Sequence, residues 1–135
     1  MEIKHIKKRD GSVKPFEADK ISNAIMKAFR ETKEGSEEDA AKVASLVNEK
    51  IVSMCIQAAA AEPDSPLALK CVDGYPAVEE IQDLVEAALM EMDYFETAKA
   101  YIIYRDQHAK IREITSHSQV GLVDQYLERL DWKVN

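Results

Sequence analysis

Cysteine, glycine and proline are scarce in this 135-residue chain, at two, four and four residues. Cys55 and Cys71 lack C-x-x-C spacing, which argues against a zinc knuckle or a redox pair, so two buried reduced thiols are expected. Long hydrophobic runs are missing too. The longest apolar-looking stretch, 56–61, is too short and too alanine-rich to span a bilayer, and the first residues lack the hydrophobic block of a secretory signal. A cytoplasmic protein with no membrane partner is the expectation. His5, His108 and His117 are scattered without ligand spacing, and neither H-E-x-x-H nor a G-x-x-x-x-G-K-[ST] loop occurs. No catalytic residue and no metal ligand are therefore assigned, which weighs against a small nucleotide hydrolase.

What is present has the balance of a soluble globular domain. Hydrophobic residues make 46% and charged residues 32%, in a chain long enough to bury one core. The formal net charge is −7, yet residues 1–20 carry six Lys/Arg against four Asp/Glu, net +2, which leaves −9 for the rest. A duplex rewards a broad basic face, so nucleic acid is not an expected partner. A small anion can still use the local patch at the N-terminus.

Periodicity predicts an α+β fold, an N-terminal β-hairpin packed on a four-helix bundle with an extra C-terminal helix. Segments 3–8 and 12–16 flank Asp10-Gly11, a two-residue turn signal that would set Lys8 opposite Val13 and Ile6 opposite Pro15. From Ala18 the spacing becomes helical, with Ile21, Ala24, Ile25, Ala28 and Phe29 on one face. Ser36 suits the N-cap of a second helix, with Glu37, Glu38 and Asp39 in its first turn, an inner stripe of Val43, Val47, Ile51 and Met54, and an end before Pro63. The stretch after it reads as a loop with one short strand around Leu69–Val72, so the sheet has two strands or three. Pro76 suits the first position of a third helix, striped by Val78, Ile81, Leu84, Val85, Ala88, Leu89 and Met92. A fourth helix carries Phe95, Ala98, Tyr101, Ile102 and Arg105 to about Arg112, and Val120, Val123, Tyr126, Leu127 and Leu130 suggest a peripheral fifth.

The basic stretch "KKRDGSVKPFEADKI" is where chemistry could sit. A triphosphate is best held by several Lys/Arg side chains converging with a helix N-terminus, and the hairpin folds Lys8 and Arg9 back towards Lys20. Two considerations oppose this. Lysines also solubilise exposed strand edges, and strict strand alternation would send Lys8 and Arg9 to opposite faces unless the turn re-aims one. Charge alone leaves an anion site and a solubilised edge both open; a helical interaction module docking an acidic partner is the alternative function.

"IKKRDGSVKPFEADKISNAIMKAF" resembles the opening of the ATP-cone domain, and "VEEIQDLVEAALMEMDYFETAKAYIIYR" resembles its second signature; together they cover residues 6–29 and 78–105. The resemblance implies an allosteric domain that binds ATP or dATP, with Mg2+, and controls the overall activity of a ribonucleotide reductase, making deoxyribonucleotides for DNA replication. It implies that Lys8, Arg9 and Lys20 contact phosphates and that Ile6, Phe16 and Ile21 border the adenine. Glu17 would lie near the polar edge of the base or the ribose, Val78 and Gln82 would close the pocket, and Tyr104 would lie near the base or sugar. Val78 stands where some relatives have a phosphate-touching threonine, and Lys14 where some carry an acid. The domain also follows a zinc ribbon in the repressor of reductase genes, but two cysteines cannot make the four-cysteine ribbon. The tail "VDQYLERLDWKVN" is similar to the lead-in to the catalytic barrel of anaerobic, glycyl-radical ribonucleoside-triphosphate reductases. Residues 1–113 are thus expected to be the regulatory domain and 114–135 a linker and the start of the catalytic region, with the rest of the reductase chain and further copies of it as partners.

Overall fold

The computed structural model describes residues 2–115. Its elements in chain order are β1 (His5–Lys7), β2 (Val13–Pro15), α1 (Ala18–Thr32), α2 (Glu37–Ala60), a 3-10 turn (Ala68–Lys70), β3 (Cys71–Val72), β4 (Tyr75–Pro76), α3 (Val78–Glu91) and α4 (Phe95–Thr115). The helices form a ring in which α1 packs on α2 and α4, and α3 packs on the same two. Ile25, Ala28 and Phe29 of α1, Val43, Val47 and Ile51 of α2, Val85, Ala88 and Leu89 of α3, and Ala98 and Tyr101 of α4 meet in one buried core. The α+β architecture and four-helix bundle are those expected from periodicity, and the suggested fifth helix lies outside the described residues.

Helix ends follow local chemistry. Ser36 and Asp39 form a reciprocal capping box at α2, with Asp39 Oδ2 accepting from the Ser36 N–H at 2.9 Å. Glu34, in the α1–α2 connection, accepts from the backbone N–H and the hydroxyl of Thr97, which ties the first turn of α4 to the end of α1. Thr97 is fully buried, so its hydroxyl needs that acceptor. Helices α1 and α3 have Glu17 and Ala77 at their N-caps, and neither cap makes a side-chain bond to the helix.

Several expectations are corrected. The hairpin register is shifted by one, pairing His5 with Pro15, Ile6 with Lys14 and Lys7 with Val13. The cause lies in the turn: Asp10 Oδ1 accepts from the Ser12 N–H at 2.9 Å and the Ser12 hydroxyl at 2.6 Å, and the Lys8 N–H donates to Ser12 O, so residues 8–12 form one loop with Gly11 at φ 87°. Pro76 sits in β4, not in α3, because "VDGY" makes a second hairpin with Asp73 and Gly74 both at positive φ. There is no third strand in the first sheet among the described residues; β3 and β4 form a separate two-stranded sheet, touching the first through a parallel bridge between Lys7 and Ala77. Phe95 and Ile102 lie in α4 as expected, with their side chains exposed.

The cysteines need a correction as well. Cys55 and Cys71 are buried as expected but joined in a disulfide, with Cα atoms 5.2 Å apart. It fastens β3 to the C-terminal third of α2. The two positions are 16 residues apart along a largely irregular connection, and spacing over such a connection carries no information about contact.

Candidate functional site

The N-terminal hairpin, the N-terminal half of α1, the N-terminal half of α3 and one face of α4 enclose a cleft of about 750 Å³, within the roughly 300–1,000 Å³ usual for small-molecule sites. Ile6, Lys8, Phe16, Glu17, Lys20, Ile21, Val78, Gln82 and Tyr104 all line it. Arg9 lines an adjoining hollow of about 460 Å³, which shares Lys8, Lys14, Val78 and Gln82 with the cleft. Every residue singled out from sequence thus stands around one continuous depression.

Its two ends differ chemically. Phe16, Ile21, Ala24, Ile81, Val85, Tyr101 and Tyr104 make an apolar end, Phe16 brought there by its N–H donating to Lys4 O at 2.8 Å just beyond the hairpin. Lys8, Arg9, Lys14 and Lys20 make a basic end. Lys8 and Arg9 leave the strand ladder one residue after Lys7, so pleat alternation does not separate them, and both line the smaller hollow. The first turns of α1 and α3, whose caps donate no side-chain acceptor to them, reach the cleft at Lys20 and Val78, adding two positive dipole ends.

Carboxylates occupy two of these cations. Arg9 Nε lies 2.8 Å from Glu79 Oε1, and Lys20 Nζ lies 2.8 Å from Glu17 Oε2. The Lys20 hydrogen bond holds the Glu17 carboxyl below its ordinary range, and the bonds from Ser12 do the same for Asp10. At the apolar end, burial pushes the Tyr101 hydroxyl up, so it stays neutral. The Tyr104 and His108 rings lie 3.9 Å apart, tilted by 53°.

Sequence reading passed over Tyr101 and His108 as site residues and left Lys14 without a role. All three line the cleft. The signal for the first two was available: spacings of three and four from Tyr104 set Tyr101, Tyr104 and His108 on one face of α4. Lys14 depends on the register, because only its pairing with Ile6 places it at the cleft. Among the described residues no group of three or more His, Cys, Asp or Glu side chains could hold a metal ion, and no helix is long and apolar enough to cross a membrane.

A hairpin-capped helical ring with an apolar pocket opening onto a basic rim defines a small nucleotide-binding regulatory module. The chain belongs to the ATP cone domain family, whose pattern matches residues 4–110, and ATP-cones are the allosteric nucleotide-binding domains of ribonucleotide reductases. The chain is 40% identical over 116 residues to a vitamin B12-dependent ribonucleoside-diphosphate reductase of Thermoplasma acidophilum, covering 82% of this chain and 13% of the relative. It is 34% identical over 116 residues to the ribonucleoside-diphosphate reductase subunit alpha of Chlamydia muridarum, covering 84% and 10%. It is 31% identical over 109 residues to the anaerobic ribonucleoside-triphosphate reductase of Escherichia coli, covering 81% and 13%. The chain therefore spans only a small part of the length of these relatives.

Proposed function

We propose that the cleft binds ATP and dATP, and that residues 1–113 serve as the activity-controlling domain of a ribonucleotide reductase, raising turnover with ATP and lowering it with dATP. The observation that carries this reading is the polarity of the cleft, apolar at one end and cationic at the other, on the scale of a nucleoside triphosphate. Lys8, Arg9 and Lys20 hold phosphates; Ile6, Phe16 and Ile21 border the adenine; Glu17 meets the polar edge of the base or the ribose. Val78 and Gln82 close the pocket, and Tyr104 lies against the base or sugar. Mg2+ enters with the triphosphate, held by phosphate oxygens and water, which suits its preference for few protein ligands.

ATP and dATP differ by one hydroxyl, so a switch needs different conformations or assemblies for the two. A coupling of about 1–3 kcal/mol is enough. Residues 114–135 lead into the catalytic region, and their likeness to the lead-in of anaerobic enzymes, together with the Escherichia coli relative, supports a cytoplasmic, anaerobic ribonucleoside-triphosphate reductase as the parent. The exposed apolar side chains of Ile56, Leu69, Met90 and Phe95 suit self-association through the bundle surface. The test is reduction of a ribonucleoside triphosphate by the full-length protein without oxygen or cobalamin. The reading expects ATP to stimulate and dATP to inhibit, with both effects abolished by Lys8→Ala with Arg9→Ala. A reaction that requires adenosylcobalamin would assign the parent to the B12-dependent class instead. Activity indifferent to both nucleotides would overturn the regulatory reading.

A further inference from the structure

Arg105 lies outside the cleft lining, yet its guanidinium is anchored on four acceptors that all belong to α3. Nε donates to Gln82 Oε1 at 2.9 Å, Nη1 to Asp83 Oδ1 at 2.6 Å and Glu86 Oε1 at 2.9 Å, and Nη2 to the backbone carbonyl of Glu79 at 3.0 Å. The side chain is only 19% exposed. Burial works against its charge, and the hydrogen bonds to Asp83 and Glu86 outweigh burial, so the pKa stands above the ordinary arginine value. Four bonds to one helix fix the orientation of the guanidinium in the structure, and it carries its charge throughout the physiological range.

An arginine has donors and no acceptor, so the arm of the Gln82 carboxamide that meets Arg105 Nε must be the oxygen. The other arm, Nε2, can only donate. Gln82 lines both the apolar cleft and the basic hollow, which places it where the two meet. We propose that Arg105 is a positioning residue that locks the Gln82 carboxamide with its N–H donors towards the ligand, so that Gln82 reads a hydrogen-bond acceptor on the sugar–α-phosphate segment of the bound nucleotide. The inference rests on the nucleotide-binding reading and adds which chemical group the junction selects. Two acceptors fit that position, a ribose hydroxyl oxygen and an α-phosphate oxygen.

The test is a double-mutant cycle on ATP and dATP affinity, read by calorimetry on the 135-residue chain, with Arg105→Met, Gln82→Met and the pair. Loss of one oriented donor weakens binding about three- to tenfold. Arg105→Met is expected to weaken ATP by that amount in the native background and to have no further effect once Gln82 is Met. Equal losses for ATP and dATP identify an acceptor the two share, an α-phosphate oxygen or the 3′-hydroxyl; a loss confined to ATP identifies the 2′-hydroxyl. Gln82→Glu guards against misfolding as a cause: it keeps an acceptor for Arg105 and so keeps the ligand-free melting point, while removing the donor and setting a carboxylate before an anion, for a loss above about tenfold. Unchanged ATP affinity in Arg105→Met, or the same loss with Gln82 present and absent, would overturn the assignment. Failure of the native chain to bind either nucleotide would instead overturn the reading on which it rests.

Discussion

Glu79 and Arg9 show how single residues set the poise of the site. Their ion pair, 2.8 Å between Nε and Oε1, joins two partly exposed groups, and such pairs contribute up to about 1 kcal/mol. A phosphate arriving at Arg9 must displace Glu79 or share the guanidinium with it. Glu79→Gln is therefore expected to tighten ATP binding by up to about fivefold, which titration calorimetry resolves; a weaker variant would mean that Glu79 assists the ligand rather than competing with it. Gly35 is constrained by packing. A Cβ there would stand 2.9 Å from the buried ring of Phe29, so Gly35→Ala should cost about 1–3 kcal/mol in a urea titration, as overpacking does, and an unchanged midpoint would contradict that. At this scale the sequence was legible where the family pattern fixes a residue's place, since charge alone left the lysines with two uses. Lys8, Arg9, Phe16 and Lys20 stand around the cleft as the family pattern implies. Lys14 was not, because its placement depends on a hydrogen bond from Ser12 to Asp10 that lengthens the turn, and "DG" alone does not reveal it.

Elements were legible in proportion to their length. Helices α1, α2 and α3 follow from periodicity and from Ser36, since apolar residues at helical spacing have few other uses. Strands of two residues carry little pattern: β3 falls within the short strand expected around Leu69–Val72, but its partner β4 and the place of Pro76 were missed. The capping box at α2 makes a pH prediction. Bonds from the backbone N–H and the hydroxyl of Ser36 hold the Asp39 carboxyl below its ordinary 3.8, so Asp39 binds a proton less readily folded than unfolded. The stability it contributes is present above that value and is lost as pH falls below it. Melting points of the native chain and Asp39→Asn should differ near neutrality and converge in acid; a constant gap would show that the charge is irrelevant. Ser36→Ala should cost about 1 kcal/mol at any pH where the helix is formed.

At the scale of the molecule, the disulfide and the cleft act on the same region. Cys71 begins the strand pair that ends at Pro76, one residue before the N-cap of α3, and Val78 at the start of α3 lines the cleft. Closing a loop of this length stabilises a fold by about 3 kcal/mol, so dithiothreitol should lower the denaturation midpoint of the native chain and leave that of Cys55→Ser with Cys71→Ser unmoved. Coincident curves for the native chain with and without dithiothreitol would contradict it. The bond was illegible because two cysteines brought together only by tertiary packing look the same in sequence as two separate thiols. The general plan of ring, hairpin and cleft was legible because two family signatures sit on α1 and α3–α4, the elements that enclose the cleft. The central claim, that this cleft binds an adenine nucleotide through the basic hairpin, is tested most directly by titrating ATP into the native chain and into Lys8→Ala with Arg9→Ala. The account predicts saturable binding to the native chain and a loss of at least about tenfold in the variant, as expected when two charge-assisted contacts are removed. Equal affinity in the two chains, or no binding to either, would contradict it.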